Sequence, residues 1–415
     1  MTQWTPVWRV KIDGVAYTTA VLSTLGIETG RRNIYEQARA GYVSIELLDT
    51  DRTVVPVAIN FTITVEIQDT AAAWVTIFGG NVVDIGLSVR NIGSVMFTQT
   101  YKITALGALA RLPKATTTGV LAQAGEGTQI AAILQTILFN TWAQTPGALT
   151  WATYDAAVTW ANAENAGYGD IDTPGNYTLA ARSSSVTDVY SLVAALATSG
   201  LGYLYESPAG LVGYADSTHR VAYLAANGYV ELDANQARGN AISIATRAGD
   251  VRNSVTIKYG ASSSSEVTDT DADSIADYGL LSQIINTTIL NGADATTQAA
   301  FYLTLRKTPQ AIFDEITFDL TSPELADDDR NSLLNIFMGA PVSLVNLPAN
   351  MNGGAFQGFV EGWRFNAGYK RLAVTLFMTP LAYSLQAMSW DDVPIVEIWS
   401  SVSPTLDWAN ATMVA

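Results

Sequence analysis

Cysteine is absent from the 415 residues, and the chain contains a single histidine, His219. Without thiols there is no disulfide, no zinc–thiolate site and no cysteine nucleophile. One imidazole also excludes multi-histidine metal sites, and any serine triad would have to use His219. Because His219 lies between Thr218 and Arg220 in a polar segment, we interpret it as a surface residue. We expect no metal ion and no cofactor.

Charged side chains and long apolar runs are also scarce. Only 14% of residues are charged, and the 22 basic and 38 acidic side chains give a net charge of −16. This negative field repels phosphate backbones and disfavours sequence-specific nucleic-acid binding, although it suits a conduit along which DNA slides without being held. The longest apolar stretch, Ile130 to Phe139, is interrupted by Gln135 and Thr136. It is too short to span a bilayer, and we expect no membrane span.

Familiar catalytic and ligand-binding motifs are missing as well. Gly125-Glu-Gly-Thr has neither the Walker lysine nor the spacing of a dinucleotide fingerprint. Asp269-Thr-Asp-Ala-Asp-Ser begins like a calcium loop, but Ser274 replaces the turn glycine and Leu280 the bidentate glutamate. We therefore predict that Asp273 caps a helix beginning at Ser274. Asp327-Asp-Asp predicts the acidic start of a helix over 331–337. No acid pair has a recognisable catalytic context, so we expect no enzymatic activity or catalytic residue.

Alternating apolar and polar residues are abundant near the N-terminus. Phe61 to Ile67 alternates strictly, which predicts a strand with one buried face. Similar short runs are separated by glycine-containing segments, including Gly79-Gly80. They predict a first small β-barrel over residues 1–107, with strands over 42–48, 74–78, 82–89 and 101–106.

The middle of the chain has a different pattern. Apolar residues recur at helical spacing from Thr128 to Phe139, and Thr187 to Thr198 predicts a second helix capped near Ser185 or Thr187. Leu201 to Tyr205 and 211–215 predict a hairpin around a Ser-Pro-Ala-Gly turn. Residues 108–240 are therefore expected to form an inserted α+β domain.

Strand patterns return in residues 241–385, where we expect a second β-barrel with a helical insertion over 294–307. The predicted strands cover 254–259, 311–320, 341–347, 355–364 and 370–379. In the last of these, Leu372, Val374, Leu376 and Met378 share one face. The predicted fold class is mainly β, with α+β insertions and two related barrels.

A short pattern is common to both β regions. Phe78-Gly-Gly-Asn-Val and Phe356-Gln-Gly-Phe-Val share Phe-x-Gly-x-Val, and each is preceded by an apolar strand and followed by an alternating one. One interpretation is an internal duplication. The other is that two unrelated hairpins share a glycine-marked bulge.

Tryptophans recur every nine residues near the C-terminus, at Trp390, Trp399 and Trp408, and the same spacing occurs at Trp142, Trp151 and Trp160. This spacing fits neither a helical stripe nor one strand face. Residues 386–415 are therefore predicted to form an extended arm. Its tryptophans either contact a neighbouring protein or pack on the chain's own barrel.

The order of these segments resembles a protein family, the baseplate hub proteins of tailed bacteriophages. The resemblance includes the tail-associated proteins of long non-contractile tails and the late-control-type hubs of contractile tails. The tryptophan arm resembles those of minor tail proteins in phages of actinobacteria. The segments that carry the likeness are Trp8–Gly14, Gly30–Gln37, Tyr42–Leu47, Phe78–Asp84, Val251–Gly260, Ser274–Gly279, Gly358–Gly362 and the closing strand up to Pro380.

The resemblance implies a non-enzymatic structural protein of the virion tail tip, made in the host cytoplasm. It implies a homotrimer whose six barrels form a pseudo-sixfold ring, with DNA passing through the lumen. The implied partners are the distal tail protein ring, the tape measure protein, and tail fibre or central tip proteins. Two alternatives remain open: a carbohydrate-binding host-adhesion protein, suggested by ten Trp and eighteen Tyr, and a tail-associated cell-wall hydrolase.

Overall fold

A mainly β architecture with a large sheet and smaller helices is present in the computed structural model, which confirms the predicted mainly β class. The structure describes residues 4–17, 20–49, 55–89, 99–137, 168–368 and 370–384. Within these ranges, no helix is both long enough and apolar enough to cross a membrane.

Seven strands form the described N-terminal part of the chain, called here the first β unit. They are β1 (Trp8–Ile12), β2 (Val15–Tyr17), β3 (Ala20–Gly30), β4 (Arg39–Asp49), β5 (Thr62–Gln68), β6 (Trp74–Val89) and β7 (Gln99–Leu106).

Short strands and three helices follow in the ranges 108–137 and 168–229, and these elements are called the inserted unit. They are β8 (Thr116–Thr117), β9 (Ala124–Gly125), α1 (Glu126–Ile137), β10 (Tyr168–Ile171), β11 (Thr178–Leu179), β12 (Thr187–Asp188), α2 (Val189–Ser199), β13 (Tyr203–Glu206), β14 (Val212–Ala215) and α3 (His219–Asn227).

The remaining elements, called the second β unit, include a small three-stranded sheet packed on a helix. They are β15 (Val230–Asp233), β16 (Ala237–Thr246), β17 (Ser254–Tyr259), β18 (Ser265–Thr270), α4 (Ala272–Tyr278), β19 (Ser282–Asn286), α5 (Gly292–Arg306), β20 (Ala311–Asp319), α6 (Asp327–Leu334), β21 (Pro341–Val345), β22 (Phe356–Gly368) and β23 (Arg371–Pro380). Because β15 pairs with β21 and β16 begins at Ala237, this sheet starts before the boundary expected at residue 241.

One thirteen-stranded sheet connects the two β units. Its order is β16-β20-β23-β22-β3-β4-β7-β6-β5-β1-β2, with β21 attached to β22 and β15 attached to β21. The first and second β units meet where β22 pairs with β3. A single hydrophobic cluster runs through both units and the inserted unit, so the three share one core.

The alternation in β5 gives the expected buried face. Ile63, Val65 and Ile67 are each at most 1% exposed, whereas Thr62 is exposed. Glu66 is also buried, and it is charge-paired with Arg9 and Lys11 of β1. The neighbouring cations thus offset the cost of burying a carboxylate in this strand.

The predicted helices form, although their caps differ from expectation. Helix α2 is capped by Asp188, whose side chain accepts from Ser191 N, and it ends at Gly200. Helix α4 begins at Ala272 and is capped by Asp271, so the predicted Asp273 cap is wrong. The acidic turn Asp327-Asp-Asp belongs to α6, which begins four residues before the expected start. An aspartate at the N-cap decides where α2 and α4 begin, whereas in α6 the three aspartates lie in the first turn, where the helix dipole favours negative charge.

Two strand predictions need correction. Gly79-Gly80 does not separate two strands, because β6 runs without interruption from Trp74 to Val89. The closing strand β23 is buried on both faces, since Ala373, Thr375 and Phe377 are buried as well as the four apolar residues of the predicted face. A central strand covered on both sides loses the alternation expected of a half-exposed strand.

Candidate functional site

The Phe-x-Gly-x-Val pattern occupies the same register in both β units. Phe78 of β6 lies opposite Val65 of β5, and Phe356 of β22 lies opposite Leu344 of β21. On the other side, Val82 pairs with Ala105 of β7, as Val360 pairs with Met378 of β23. The pattern therefore marks equivalent positions in two equivalent three-strand groups.

A bulge follows the pattern at the same position in each unit. The β6–β7 ladder shifts at Val83, and the β22–β23 ladder shifts at Glu361. The central glycines also match. A Cβ on Gly80 would lie 2.4 Å from Leu106 O, and one on Gly358 would lie 2.3 Å from Thr379 O. Two unrelated hairpins would not share register, bulge and backbone approach, so the structure favours the duplication hypothesis.

The outer strands extend the equivalence. Ile45 of β4 lies between Leu25 and Ile103, and Ile316 of β20 lies between Ile242 and Leu376. The strand group β3-β4-β7-β6-β5 thus corresponds to β16-β20-β23-β22-β21.

The two units meet through antiparallel pairing of β3 with β22, from Gly30↔Gly362 to Leu25↔Ala367. The backbones are in close contact at one end of this junction. Gly30 has φ +91°, and a Cβ there would lie 2.4 Å from Glu361 O. Any side chain at Gly30 would push the strands apart, so glycine is required where they meet.

A buried charge cluster lies at the same junction. Glu361, at the β22 bulge, is fully buried and accepts from Arg31 Nε at 2.7 Å and from Arg220 Nη1 and Nη2 at 2.8 and 2.9 Å. Thr379 Oγ1 donates to it as well, at 2.5 Å. Burial alone would raise the pKa of Glu361, but the charges of Arg220 and Arg31 outweigh it and hold that pKa far below its usual range.

This cluster joins all three units. Arg31 follows β3 of the first β unit, Arg220 belongs to α3 of the inserted unit, and Glu361 belongs to the second β unit. The Arg220 guanidinium also lies 4.6 Å from the ring centre of Tyr203 and 5.0 Å from that of Phe359. A cation held between aromatic faces and a carboxylate has little freedom to move, which fixes the relative positions of the units.

A cavity of about 140 Å³ lies beside the cluster, lined among others by Arg31, Tyr35, Arg220, Arg306 and Tyr383. Arg306 Nη1 donates to Tyr383 O at 2.6 Å. Its lining combines these polar groups with apolar ones such as Leu201 and Phe301, and the cavity has room for water. Within the described residues, no group of three or more acids or histidines could hold a metal ion.

The inserted unit contacts the first β unit through the predicted hairpin, which is confirmed as β13–β14. Glu206, at the end of β13, is buried and accepts from the backbone N–H groups of Gly41 and Leu109. Burial raises the pKa of Glu206 to about 7, although the two N–H donors act in the opposite direction. The hairpin turn also lies on β6, where a Cβ on Gly79 would lie 2.3 Å from Ala209 O.

His219 is the first residue of α3, and its Nδ1 lies 2.8 Å from Asp172 Oδ2. Its side chain is 31% exposed, so it is a partly exposed residue with an acidic partner. The hydrogen bond to Asp172 raises the pKa of His219. The neighbouring Arg220 is buried, which the polar sequence around His219 did not indicate.

The predicted contact residues Trp390, Trp399 and Trp408, the arm 386–415, and Trp142, Trp151 and Trp160 lie outside the described residues. Sequence reasoning did not single out Arg31, Arg220 or Glu361. One signal was available: Glu361 interrupts the apolar strand Phe359-Val-Glu-Gly-Trp, and a carboxylate in such a strand needs a buried cation.

Comparisons with known proteins point to one group of folds. No protein-family model and no curated protein matches the sequence. Among solved structures, the chain is similar to the 43 kDa tail protein of prophage MuSo2 from Shewanella oneidensis, with a TM-score of 0.54 and 14% identity over 91% of this chain and 99% of that one. It is also similar to the tail protein from Neisseria meningitidis MC58, with a TM-score of 0.56 and 10% identity over 92% and 98% of the two chains. The chain therefore shares the fold of these two tail proteins.

Proposed function

We propose that this chain is a structural hub at the tail tip of a long-tailed bacteriophage, where three copies form a pseudo-sixfold ring. The observation that carries the proposal is the repeated strand group, which matches in strand order, register and bulge. Three chains with two equivalent units present six similar surfaces, which suits a sixfold partner above and a threefold tip below.

The sixfold partner in this proposal is the distal tail protein ring. Below it, the hub holds tail fibre or central tip proteins, and the tape measure protein ends near the lumen. DNA leaves through that lumen, and the chain's net charge of −16 suits a passage that does not retain phosphates. The shared fold of two tail proteins supports this placement in the virion.

A structural role also agrees with the chemistry of the described residues. The buried charge cluster of Glu361, Arg31 and Arg220 connects the units, and both carboxylate oxygens of Glu361 accept hydrogen bonds, so neither is free for acid–base work. The exposed large aromatics of the described ranges, Tyr35, Tyr42, Trp74 and Tyr278, are at most 44% exposed and come from four separate segments. Within the described ranges, none of these four rings packs against another aromatic ring, so they give no support to the adhesin.

Mass photometry of the full chain tests the proposal, with cryo-electron microscopy of assembled tails as the second measurement. We expect a particle of three times the chain mass of 44.3 kDa, and three copies around the tail axis. Two or six copies of this chain per tail would contradict the hub proposal. Retention of the protein on a polysaccharide column, with no incorporation into tails, would favour the adhesin.

A further inference from the structure

Each of the two strands that meet at the β3–β22 junction has an equivalent strand elsewhere in the molecule. By the repeat, β16 corresponds to β3, and the second half of β6 corresponds to the part of β22 that pairs with β3. Within the described residues, β16 pairs with β20 only, and Asp84 to Val89 of β6 pair with β7 only. The chain therefore presents two strand edges that correspond to the two sides of a junction it already contains.

Burial differs at these equivalent positions. Phe365 of β22, which lies opposite Ile27 of β3, is 1% exposed, whereas its equivalent Leu87 of β6 is 60% exposed. Ile27 of β3 is likewise 1% exposed, while its equivalent Ile244 of β16 is partly exposed. Among the described residues, each edge is thus less covered than its counterpart, although Ile244 still packs on the core. An edge with exposed apolar side chains is a template for another strand.

We propose that β16 of one copy pairs antiparallel with β6 of the next copy, in the register of the β3–β22 junction. This deepens the hub proposal, because it names the surfaces that would join one copy to another. Transferring the register gives five cross-strand pairs: Ile85↔Thr246, Gly86↔Ala245, Leu87↔Ile244, Ser88↔Ser243 and Val89↔Ile242.

The transferred register is chemically consistent. Leu87 meets Ile244 where Phe365 meets Ile27, so an apolar pair is kept. If the register is continued by one residue, Arg247 lies opposite the exposed Asp84. The backbone of Arg247 is extended, as pairing requires. Opposite charges at facing positions favour pairing. The two edges belong to different surfaces of the chain, so the contact is head-to-tail and closes into a ring or continues as a filament.

Engineered disulfides test this pairing in a chain that has no native cysteine. The proteins Ser88→Cys and Ser243→Cys are mixed and oxidised, and cross-linked chains are separated by non-reducing electrophoresis and identified by peptide mass spectrometry. Only a contact between copies can join these two single variants. The matched control within one chain is Gly26→Cys with Asn366→Cys, because a Cβ on Gly26 lies 4.0 Å from Asn366 Oδ1 at the equivalent position.

The off-register control is Ser88→Cys mixed with Ala245→Cys. A shift of two residues places the Cα atoms about 7–8 Å apart, beyond the reach of a disulfide. We expect the Ser88–Ser243 pair to give a cross-linked fraction about tenfold higher than this control, since disulfide geometry is narrow. No such excess, under conditions where the Gly26–Asn366 control closes, would overturn the proposed pairing.

The same experiment separates this pairing from the hub proposal. The double variant Ser88→Cys/Ser243→Cys should give a covalent species of three chains if both are right. A ladder extending beyond three chains would support the pairing and contradict the trimeric hub. Trimers by mass photometry that lack the Ser88–Ser243 cross-link would leave the hub in place and reject the pairing.

Discussion

A single carboxylate, Glu361, is the residue on which the contact of the three units depends most. It is fully buried, and it compensates two guanidinium groups that are themselves nearly inaccessible, with side chains 4% and 6% exposed. Removing one member of a buried ion cluster leaves an uncompensated charge. The free-energy cost of that charge is larger than the stability that the intact cluster provides over apolar residues of similar volume.

Glu361→Gln is therefore expected to lower the free energy of unfolding by about 3–5 kcal/mol, measured by urea denaturation at neutral pH. The control is Glu28→Gln at the same junction. Glu28 pairs with Arg364 and Arg32, but its side chain is 41% exposed, so we expect a loss of only about 0–1 kcal/mol. Equal losses for the two variants would mean that the buried cluster has no special role.

Glu206 gives a second prediction at this scale, a dependence of stability on pH. Its pKa rises from 4.5 to about 7 in the folded protein, so between these values the folded chain binds more protons than the unfolded chain. The contribution of Glu206 to the free energy of unfolding therefore falls by about 3 kcal/mol as the pH increases from 4.5 to 7. Above pH 7 this contribution no longer changes.

Glu206→Gln should remove this part of the pH profile, whatever its effect on absolute stability. Urea denaturation between pH 4 and 8 measures the difference between the variant and the natural chain. Glu266→Gln, at an exposed position of β18, should keep the slope. A profile for Glu206→Gln that parallels the natural one would show that Glu206 is ionised throughout this range.

At the scale of a single element, strand β6 continues through Gly79-Gly80 because of the backbone that packs against it. Two adjacent glycines are usually a strand breaker, yet here they allow the strand to continue beneath the hairpin turn of the inserted unit. A Cβ on Gly79 would meet Ala209 and one on Gly80 would meet Leu106, and in both cases the nearest atoms are backbone.

Gly79→Ala is accordingly expected to destabilise the protein by about 1–3 kcal/mol, because backbone atoms cannot move aside for a methyl group as a flexible side chain can. Thermal unfolding followed by circular dichroism measures the effect. Gly86→Ala lies in the same strand, where the nearest atom, Lys102 Cβ, would be 3.6 Å away, and it should be tolerated. Similar melting temperatures for the two variants would contradict a packing role for Gly79.

At the scale of the whole molecule, the described chain ends inside the core. Leu381 and Tyr383 are 5% and 1% exposed, and Tyr383 O accepts from Arg306. Ser384 Oγ accepts from Arg220 of the charge cluster. A truncation meant to remove only the arm must therefore keep residues up to Ser384, because a chain ending at Pro380 would lose a buried tyrosine.

A chain ending at Ser384 is expected to keep its melting transition but to assemble poorly into tails, since Trp390, Trp399 and Trp408 are proposed to contact a partner. Calorimetry and incorporation into tail particles measure the two effects. The full chain with these three tryptophans changed to alanine should show the same assembly defect. Loss of the thermal transition in the truncated chain would instead place the arm in the chain's own core.

The sequence by itself determined the elements whose pattern is local. Strand-type patterns gave β4, β5, β7, β17, β20, β21, β22 and β23, helical spacing gave α1 and α2, and the hairpin turn gave β13–β14. The strands β1, β2, β3, β15, β16, β18 and β19 were not predicted. The Phe-x-Gly-x-Val pattern also indicated the repeat, because a glycine is needed wherever the next strand's carbonyl comes as close as Leu106 O or Thr379 O. The strand, helix and hairpin signals can be read from the sequence because they depend on neighbours a few residues apart.

Only the tertiary structure decided which strands meet and which charges are buried. Arg31 and Glu361 are 330 residues apart in the chain, and no spacing rule joins them. Their pairing follows from the β3–β22 contact, whose register depends on the shape of both units together. For the same reason, only the strand pairing shows that the edges of β16 and β6 are equivalent to β3 and β22, which pair with each other.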